Sequence, residues 1–286
     1  MSERAEDAFR ADIVEIGRRM YARGYVASND GNISIKLDDA TILTTPKSVS
    51  KGFMTPDMMV VVDLDGKKIR GTRDASSELL MHLEVYKNRP DVRAVVHAHP
   101  PIATGFAVAG IPLDRAVLAE VVTTLGSIPI AEYATPSTPE LPAAVRKYIK
   151  AHDGLLLANH GALTIGPDVY AAYYKMETIE HFAKISLVTR QLGRENLLSR
   201  EEVHRLQDLR GNYGIKSPAP ICADGSESGS NAEQASCQIV EAPASRGARL
   251  IPTDPADLDG EIRLSYRELT ALIEDAVKAL LGGQHG

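Results

Sequence analysis

The run AVVHAHPP, Ala94 to Pro101, carries two histidines one residue apart at the end of an apolar stretch. Side chains two apart on a strand point to the same face, so His97 and His99 would present their imidazoles side by side. Neutral imidazoles suit zinc, and three protein ligands leave a coordination position for substrate. A third ligand is therefore required. His160 in LANHG is the leading candidate, because it also follows an apolar run and Gly161 permits a sharp turn or a close backbone approach. Glu78, at the end of DASSE, offers a carboxylate that can alternate between metal ligand and base. Its plainer reading is a first-turn acid that complements a helix dipole. His82 lies four residues further along the same predicted helix and is a competing ligand.

Features suited to an anion accompany this group. Ser76 and Ser77 offer hydroxyls and N–H groups at a predicted helix N-terminus, where a phosphate would be favoured. The turns NDGN (Asn29, Asp30, Gly31, Asn32) and TPKS (Thr45 to Ser48) add donors and one cation, Lys47. Each is an ordinary turn when taken alone; together they form a site only if the fold brings them to one place.

Elements that could position these residues can be read along the chain. Ile13, Ile16, Met20 and Tyr21 recur at helical spacing, and Gly24 suits the helix stop. ISIKL and TILTT have strand character, and VVVDLDGKKI reads as a hairpin around Asp65-Gly66. Ser76 and Ser77 are placed to cap a helix that ends near Arg89-Pro90. AVVHAH, SIPIAEY and GLLLANHGALTIG supply further strands, with helices predicted near 138–151 and 167–191. Short strands, a hairpin and flanking helices predict a mixed sheet layered with helices. No phosphate-binding loop of the Walker type and no dinucleotide-binding glycine fingerprint is present.

The 286 residues are 44% hydrophobic with a formal net charge of −6 and no basic block, which argues against nucleic acid and anionic membrane as partners. No apolar run approaches the roughly 20 residues of a membrane span. Two cysteines, Cys222 and Cys237, form neither a disulfide framework nor a thiolate metal site, so a cytoplasmic setting is expected. Composition divides the chain: 1–216 is the folded part, 217–260 a Pro/Ala/Gly/Ser-rich flexible linker, and 261–286 an amphipathic helix. Tyr266, Leu269, Ile273, Ala276, Val277 and Leu280 line one face of that helix.

SNDGNIS, TTPKS, SSELLMH, AVVHAH, ANHGAL and NYGI, in this order and spacing, resemble the class II aldolase/adducin family, in particular its L-fuculose-phosphate aldolases. The resemblance covers about residues 8–216. It implies a three-layer α/β/α sandwich in a homotetramer, with one zinc ion per subunit near an interface. By resemblance, His97, His99 and His160 are zinc ligands, and Glu78 is a resting ligand that swings away to act as acid/base. Asn29, Asp30, Lys47, Ser48, Ser76 and Ser77 hold the phosphate, with Asn32 supporting that loop. Tyr213, between Asn212 and Gly214, matches the family's C-terminal active-site tyrosine.

The implied reaction is retro-aldol cleavage of L-fuculose 1-phosphate or L-rhamnulose 1-phosphate to dihydroxyacetone phosphate and lactaldehyde. One departure stands out: PLDRAVLAEVVTTLG has no tyrosine where the family's aldolases carry an acid, and Glu120 is the strong acid in its second half. Alternatives within the fold are a pentulose-phosphate 4-epimerase, which by resemblance carries Asp in place of Glu78, and a sugar-phosphate dehydratase. A non-catalytic adducin-like binding protein is a further alternative. The tail 261–286 resembles the encapsulation peptides that direct enzymes to a bacterial microcompartment shell; the plainer alternative is docking on the enzyme itself.

Overall fold

The computed structural model describes residues 3–215 together with 220, 221 and 270. Apart from those last three positions, the stretches read as linker and amphipathic helix, with Cys222 and Cys237, lie outside the described residues.

Eight short strands form one sheet: β1 (Asn32–Lys36), β2 (Thr41–Thr44), β3 (Val60–Asp63), β4 (Lys68–Arg70), β5 (Ala94–Ala98), β6 (Ile130–Ala131), β7 (Gly154–Leu157) and β8 (Gly161–Gly166). Their order is β4-β3-β2-β1-β5-β8-β7-β6. Every pair is antiparallel except β6 with β7. The predicted hairpin at Asp65-Gly66 joins β3 to β4, whereas SIPIAEY yields only the two-residue β6.

Strand alternation sorts side chains into two cores. Ile33, Ile35, Val96 and Ala98 pack with helices α1 (Glu3–Ala22), α3 (Pro101–Ala109) and α6 (Val169–Gln191). Val95, Leu155 and Leu163 pack on the other face with α2 (Leu79–Asn88) and α5 (Glu140–Ile149). A sheet whose two faces both bury apolar side chains needs a layer on each, and the result is the expected α/β/α sandwich. Helices α4 (Ala119–Thr124) and α7 (Arg200–Leu209) share a smaller cluster of Ala116, Val122, Val203 and Ile221. Ile221 is buried there, and Ser127 N–H donates to the Pro220 carbonyl at 3.0 Å. The chain is thus docked at two positions inside the span that composition reads as linker.

Two local expectations need correction. Tyr21 is 43% exposed, stacking edge-on against Phe53, while Ile13, Ile16 and Met20 are buried as their spacing requires. Ser76 and Ser77 do not cap α2. Lys47 N–H donates to Asp74 O and Ser76 N–H to Thr45 O, with Pro46 and Ala75 bridged, so this segment stays extended and the helix opens only at Leu79. The proline pair after His99 ends β5 and also begins α3, since proline is pre-organised for a first helical turn. The Glu180 carboxylate caps that turn by accepting from Ile102 N–H (3.0 Å) and Ala103 N–H (2.8 Å).

A buried ionic cluster ties the layers together at one end of the sheet. Asp153 contacts Arg89 at 3.0 Å and Lys175 at 2.7 Å, and Arg89 also pairs with Asp91 and donates to the Ile149 carbonyl. Removing one partner from such a cluster strands a buried charge. Asp153→Ala is therefore expected to lower stability by about 3–5 kcal/mol, read as a lower urea midpoint.

Candidate metal centre

His97 is the penultimate residue of β5 and His99 lies just beyond its end. The strand's alternation puts His97 on the α2 face with Val95, and its ring is fully buried. Register places Asn32 of β1 opposite His97, and Ala162 of β8 opposite Ala98. His160 enters from the turn between β7 and β8, where Asn159 adopts a left-handed conformation with φ of +55°. Gly161 is required by close approach: a Cβ there would fall 2.5 Å from Ala98 O and 2.6 Å from His99 Cδ2.

The three rings meet with mutual centroid distances of 4.8–5.1 Å, and one nitrogen from each lies within 4.8 Å of the others. His97 Nδ1–H donates to the Ala162 carbonyl at 2.9 Å, which leaves its Nε2 lone pair facing inward. That Nε2 lies 3.1 Å from His99 Nε2 and 3.4 Å from Glu78 Oε2. His160 Nε2 lies 3.0 Å from Glu78 Oε1, and Asn32 Nδ2 donates to Glu78 Oε2 at 2.8 Å. Asp30 Oδ2 stands 3.4 Å from His99 Nδ1, an arrangement that orients the ring as carboxylates commonly orient metal-binding histidines.

Electrostatics keep the donors in their ligating forms. Burial pushes the His97 and His99 imidazoles below the ordinary histidine range, so both are neutral. Burial would raise the Glu78 carboxyl, but the hydrogen bonds it accepts from His160 and Asn32 help to hold it well below the usual carboxylate range. The site fits a divalent ion on its own chemistry. Nitrogens bound tetrahedrally to one zinc ion lie roughly 3.3 Å apart, close to the 3.1 Å separation of His97 and His99.

His82 does not join this cluster. Its Nδ1 lies 2.7 Å from Ser34 Oγ, which also contacts Tyr86 OH at 2.8 Å, a buried network behind Glu78. Burial lowers the His82 pKa to about 4, so the folded chain keeps it neutral where an unfolded histidine is protonated. The unfolded state thus binds more protons as pH falls below the ordinary histidine value, and folding stability falls with it. In metal-free protein the His82 contribution alone should remove about 2 kcal/mol between about pH 7 and pH 5. Urea unfolding of the wild type and His82→Gln should show that extra slope in the wild type only.

The phosphate-like turns do converge. Asn29 and Ser48 line one shallow cavity of about 470 Å³ with Tyr21, Ser28 and Ser50. The backbone pairing of Thr45 and Lys47 with Ser76 and Asp74 joins the TPKS turn to the DASSE segment. Lys47 and Ser77 are exposed and Ser76 half-buried, while Asn32 is buried beneath Glu78. Ser48 holds a left-handed φ of +58°. Asp30 stands apart from the other five expected phosphate residues in that its carboxylate addresses His99.

With this geometry in place, the comparisons with known proteins are decisive. The profile described as Class II Aldolase and Adducin N-terminal domain matches residues 11–187. This chain belongs to the class II aldolase and adducin family. It is 34% identical over 181 residues to an L-fuculose phosphate aldolase of Methanococcus maripaludis, covering 63% of this chain and 97% of that protein. It is 32% identical over 188 residues to a 3-oxo-tetronate 4-phosphate decarboxylase of Pectobacterium atrosepticum, covering 64% and 86%. The crystal structure of an L-fuculose-1-phosphate aldolase from Thermus thermophilus superposes with a TM-score of 0.59 at 30% identity, covering 66% of this chain and 98% of that one.

As a class II aldolase-family enzyme, the chain carries its metal-binding candidates in His97, His99 and His160. Two residues of interest lie elsewhere. Tyr213 ends a short 3-10 turn after α7 and is 67% exposed, with no hydrogen bond or ring contact to the cluster among the described residues. Glu120 sits exposed in the first turn of α4.

Sequence reasoning missed Lys51. Its side chain is 2% exposed, and its Nζ donates to the carbonyls of Asn29 (2.9 Å) and Val49 (2.7 Å). Burial lowers its pKa to about 8, against the nearby charges of Asp30 and Glu78. A lysine between a serine and a glycine reads as solvated, and no local signal marks it.

Proposed function

We propose that the protein is a zinc-dependent sugar-phosphate lyase that cleaves a 6-deoxyketose 1-phosphate to dihydroxyacetone phosphate and lactaldehyde. The observation that carries this reading is the convergence of three imidazoles with an ionised Glu78 carboxylate. His97, His99 and His160 would hold the ion, with Glu78 in reach; when bound, it supplies Lewis-acid polarisation of the carbonyl next to the breaking bond.

The chain's own groups account for the rest. The turns at 29–32, 45–48 and 76–77 grip the phosphate and orient the substrate, converting remote binding into positioning. Glu78, ionised at rest and steadied by Asn32, takes up a proton from solvent and delivers it to the carbon that keeps the bonding pair and becomes a hydroxymethyl group. The leaving side, which becomes the aldehyde, requires a second group to accept its hydroxyl proton. Tyr213 and Glu120 are the candidates; both are exposed and outside the cluster of their own chain, which supports a site completed across subunits of a homotetramer.

The test is direct: zinc-loaded protein incubated with L-fuculose 1-phosphate and with L-rhamnulose 1-phosphate should release dihydroxyacetone phosphate from one or both. Absence of that product with both would reject the aldolase reading. The likeness to a 3-oxo-tetronate 4-phosphate decarboxylase favours a second reading, since decarboxylation also breaks a carbon–carbon bond beside a carbonyl. Carbon dioxide release from such a phosphorylated oxo-acid, without aldehyde production, would select it.

The amphipathic pattern of 261–286, after a Pro/Ala/Ser-rich stretch, further supports delivery of the enzyme to a protein shell inside the cytoplasm. A fluorescent protein fused to 261–286 that stays diffuse in cells containing assembled shells would refute that delivery.

A further inference from the structure

Lys51 is a buried cation whose visible partners do not explain its charge. It opens the 3-10 turn Lys51–Phe53, which is pressed so closely on α1 that a Cβ at Gly17 would lie 2.6 Å from the Lys51 carbonyl oxygen. From there its side chain reaches the carbonyls of Asn29 and Val49, at 2.9 and 2.7 Å. Those two bonds link the NDGN turn to the chain that follows TPKS. A neutral donor could make them. Among the described residues no carboxylate stands within ion-pair distance of Nζ; Asp30 and Glu78 act on it only from farther away, and burying an ammonium without a direct counter-charge is expensive.

The cavity that shares Asn29 with Lys51 suits a direct counter-charge. Its lining of Tyr21, Ser28, Asn29, Ser48 and Ser50 contains hydroxyl and amide groups and no carboxylate. Asn29 belongs both to this lining and to the pair of carbonyls that Lys51 holds. Ser48 and Ser50 flank Val49, the source of the other carbonyl. An anion in the cavity would therefore be gripped by groups whose backbone the lysine itself fixes.

We propose that Lys51 is a positioning residue of the anion subsite: it ties the 29–32 and 45–50 segments together and supplies the buried positive charge that a bound phosphate neutralises. This rests on the reading of these turns as a phosphate grip. It adds a group beneath the cavity that holds the exposed donors in register and sets their affinity for a doubly charged ligand.

Calorimetric titration of the zinc-loaded, full-length protein with inorganic phosphate tests it. The wild type should bind, and Lys51→Met should bind at least about tenfold more weakly, as loss of a charge-supported interaction implies. Lys51→Gln, which keeps one donor for a carbonyl but no charge, should be similarly weak, and both variants should retain wild-type zinc content. Folded variants with wild-type phosphate affinity would overturn the role of Lys51 while leaving the subsite intact. Loss of zinc with unchanged phosphate binding would also overturn it, by showing that the cation serves Glu78 and Asp30 instead. A wild type that does not bind phosphate would overturn the subsite reading and this proposal with it. Should both variants fail to fold, wild-type protein labelled with lysine ¹⁵Nζ decides: an ammonium resonance that shifts on phosphate addition supports the proposal, and none responding refutes it.

Discussion

His97→Ala is expected to abolish metal binding and, with it, turnover. The ring is fully buried, is fixed by its Nδ1–H bond to the Ala162 carbonyl, and turns Nε2 toward His99 and Glu78. Disturbing only an outer partner of a metal ligand typically weakens metal affinity by about 10–100-fold. Deleting the ligand itself should exceed that range, because two imidazoles and one carboxylate remain and the vacated space admits water. Elemental analysis after dialysis should find about one zinc per wild-type chain and a small fraction of that in the variant. Far-UV circular dichroism should be unchanged, since Val95, Val96 and the β5 pairings to β1 and β8 do not depend on the ring. A variant that retains stoichiometric metal would remove His97 from the ligand set.

Glu78→Gln separates the metal's role from the proton's. Glutamine has nearly the same shape, and its amide can accept from Asn32 Nδ2 while presenting its NH₂ toward His160, so packing and the three histidines persist. What disappears is the ionised carboxylate that Asn32 and the histidines hold in place. General acid–base catalysis contributes roughly 10²–10⁴-fold, and kcat should fall by about that amount while most of the zinc is retained. Full activity in the substituted enzyme would show that the proton moves through another group. Loss of zinc equal to that in His97→Ala would make Glu78 an obligatory ligand and not a proton carrier.

Much of the fold could be read locally. Helical spacing of Ile13, Ile16 and Met20, the Asp65-Gly66 hairpin and the strand ending in His97 are written in nearest-neighbour patterns, and such patterns survive burial because they are what burial selects. The metal-binding candidates were legible for the same reason, as two histidines on one strand face need no distant information. Tyr21 and the Ser76-Ser77 pair were misread because long-range contacts overrode local preference: an aromatic pair at the surface in one case, backbone pairing with Thr45 and Lys47 in the other.

The sequence by itself determined the chemistry available: two imidazoles in alternation, a third after an apolar run, a carboxylate in a serine-rich approach to a helix, and donor-rich turns. Only the tertiary structure decided which of these meet. It selected His160 over His82 by committing His82 to Ser34, and it turned Asp30 toward His99. It also sank Lys51 beneath a turn that lies 22 residues before it in the chain, at Asn29. The physical reason is that hydrogen bonds and charge pairs act over a few ångströms, whatever the separation along the chain, so partners distant in sequence carry no local signature until the sheet brings them together.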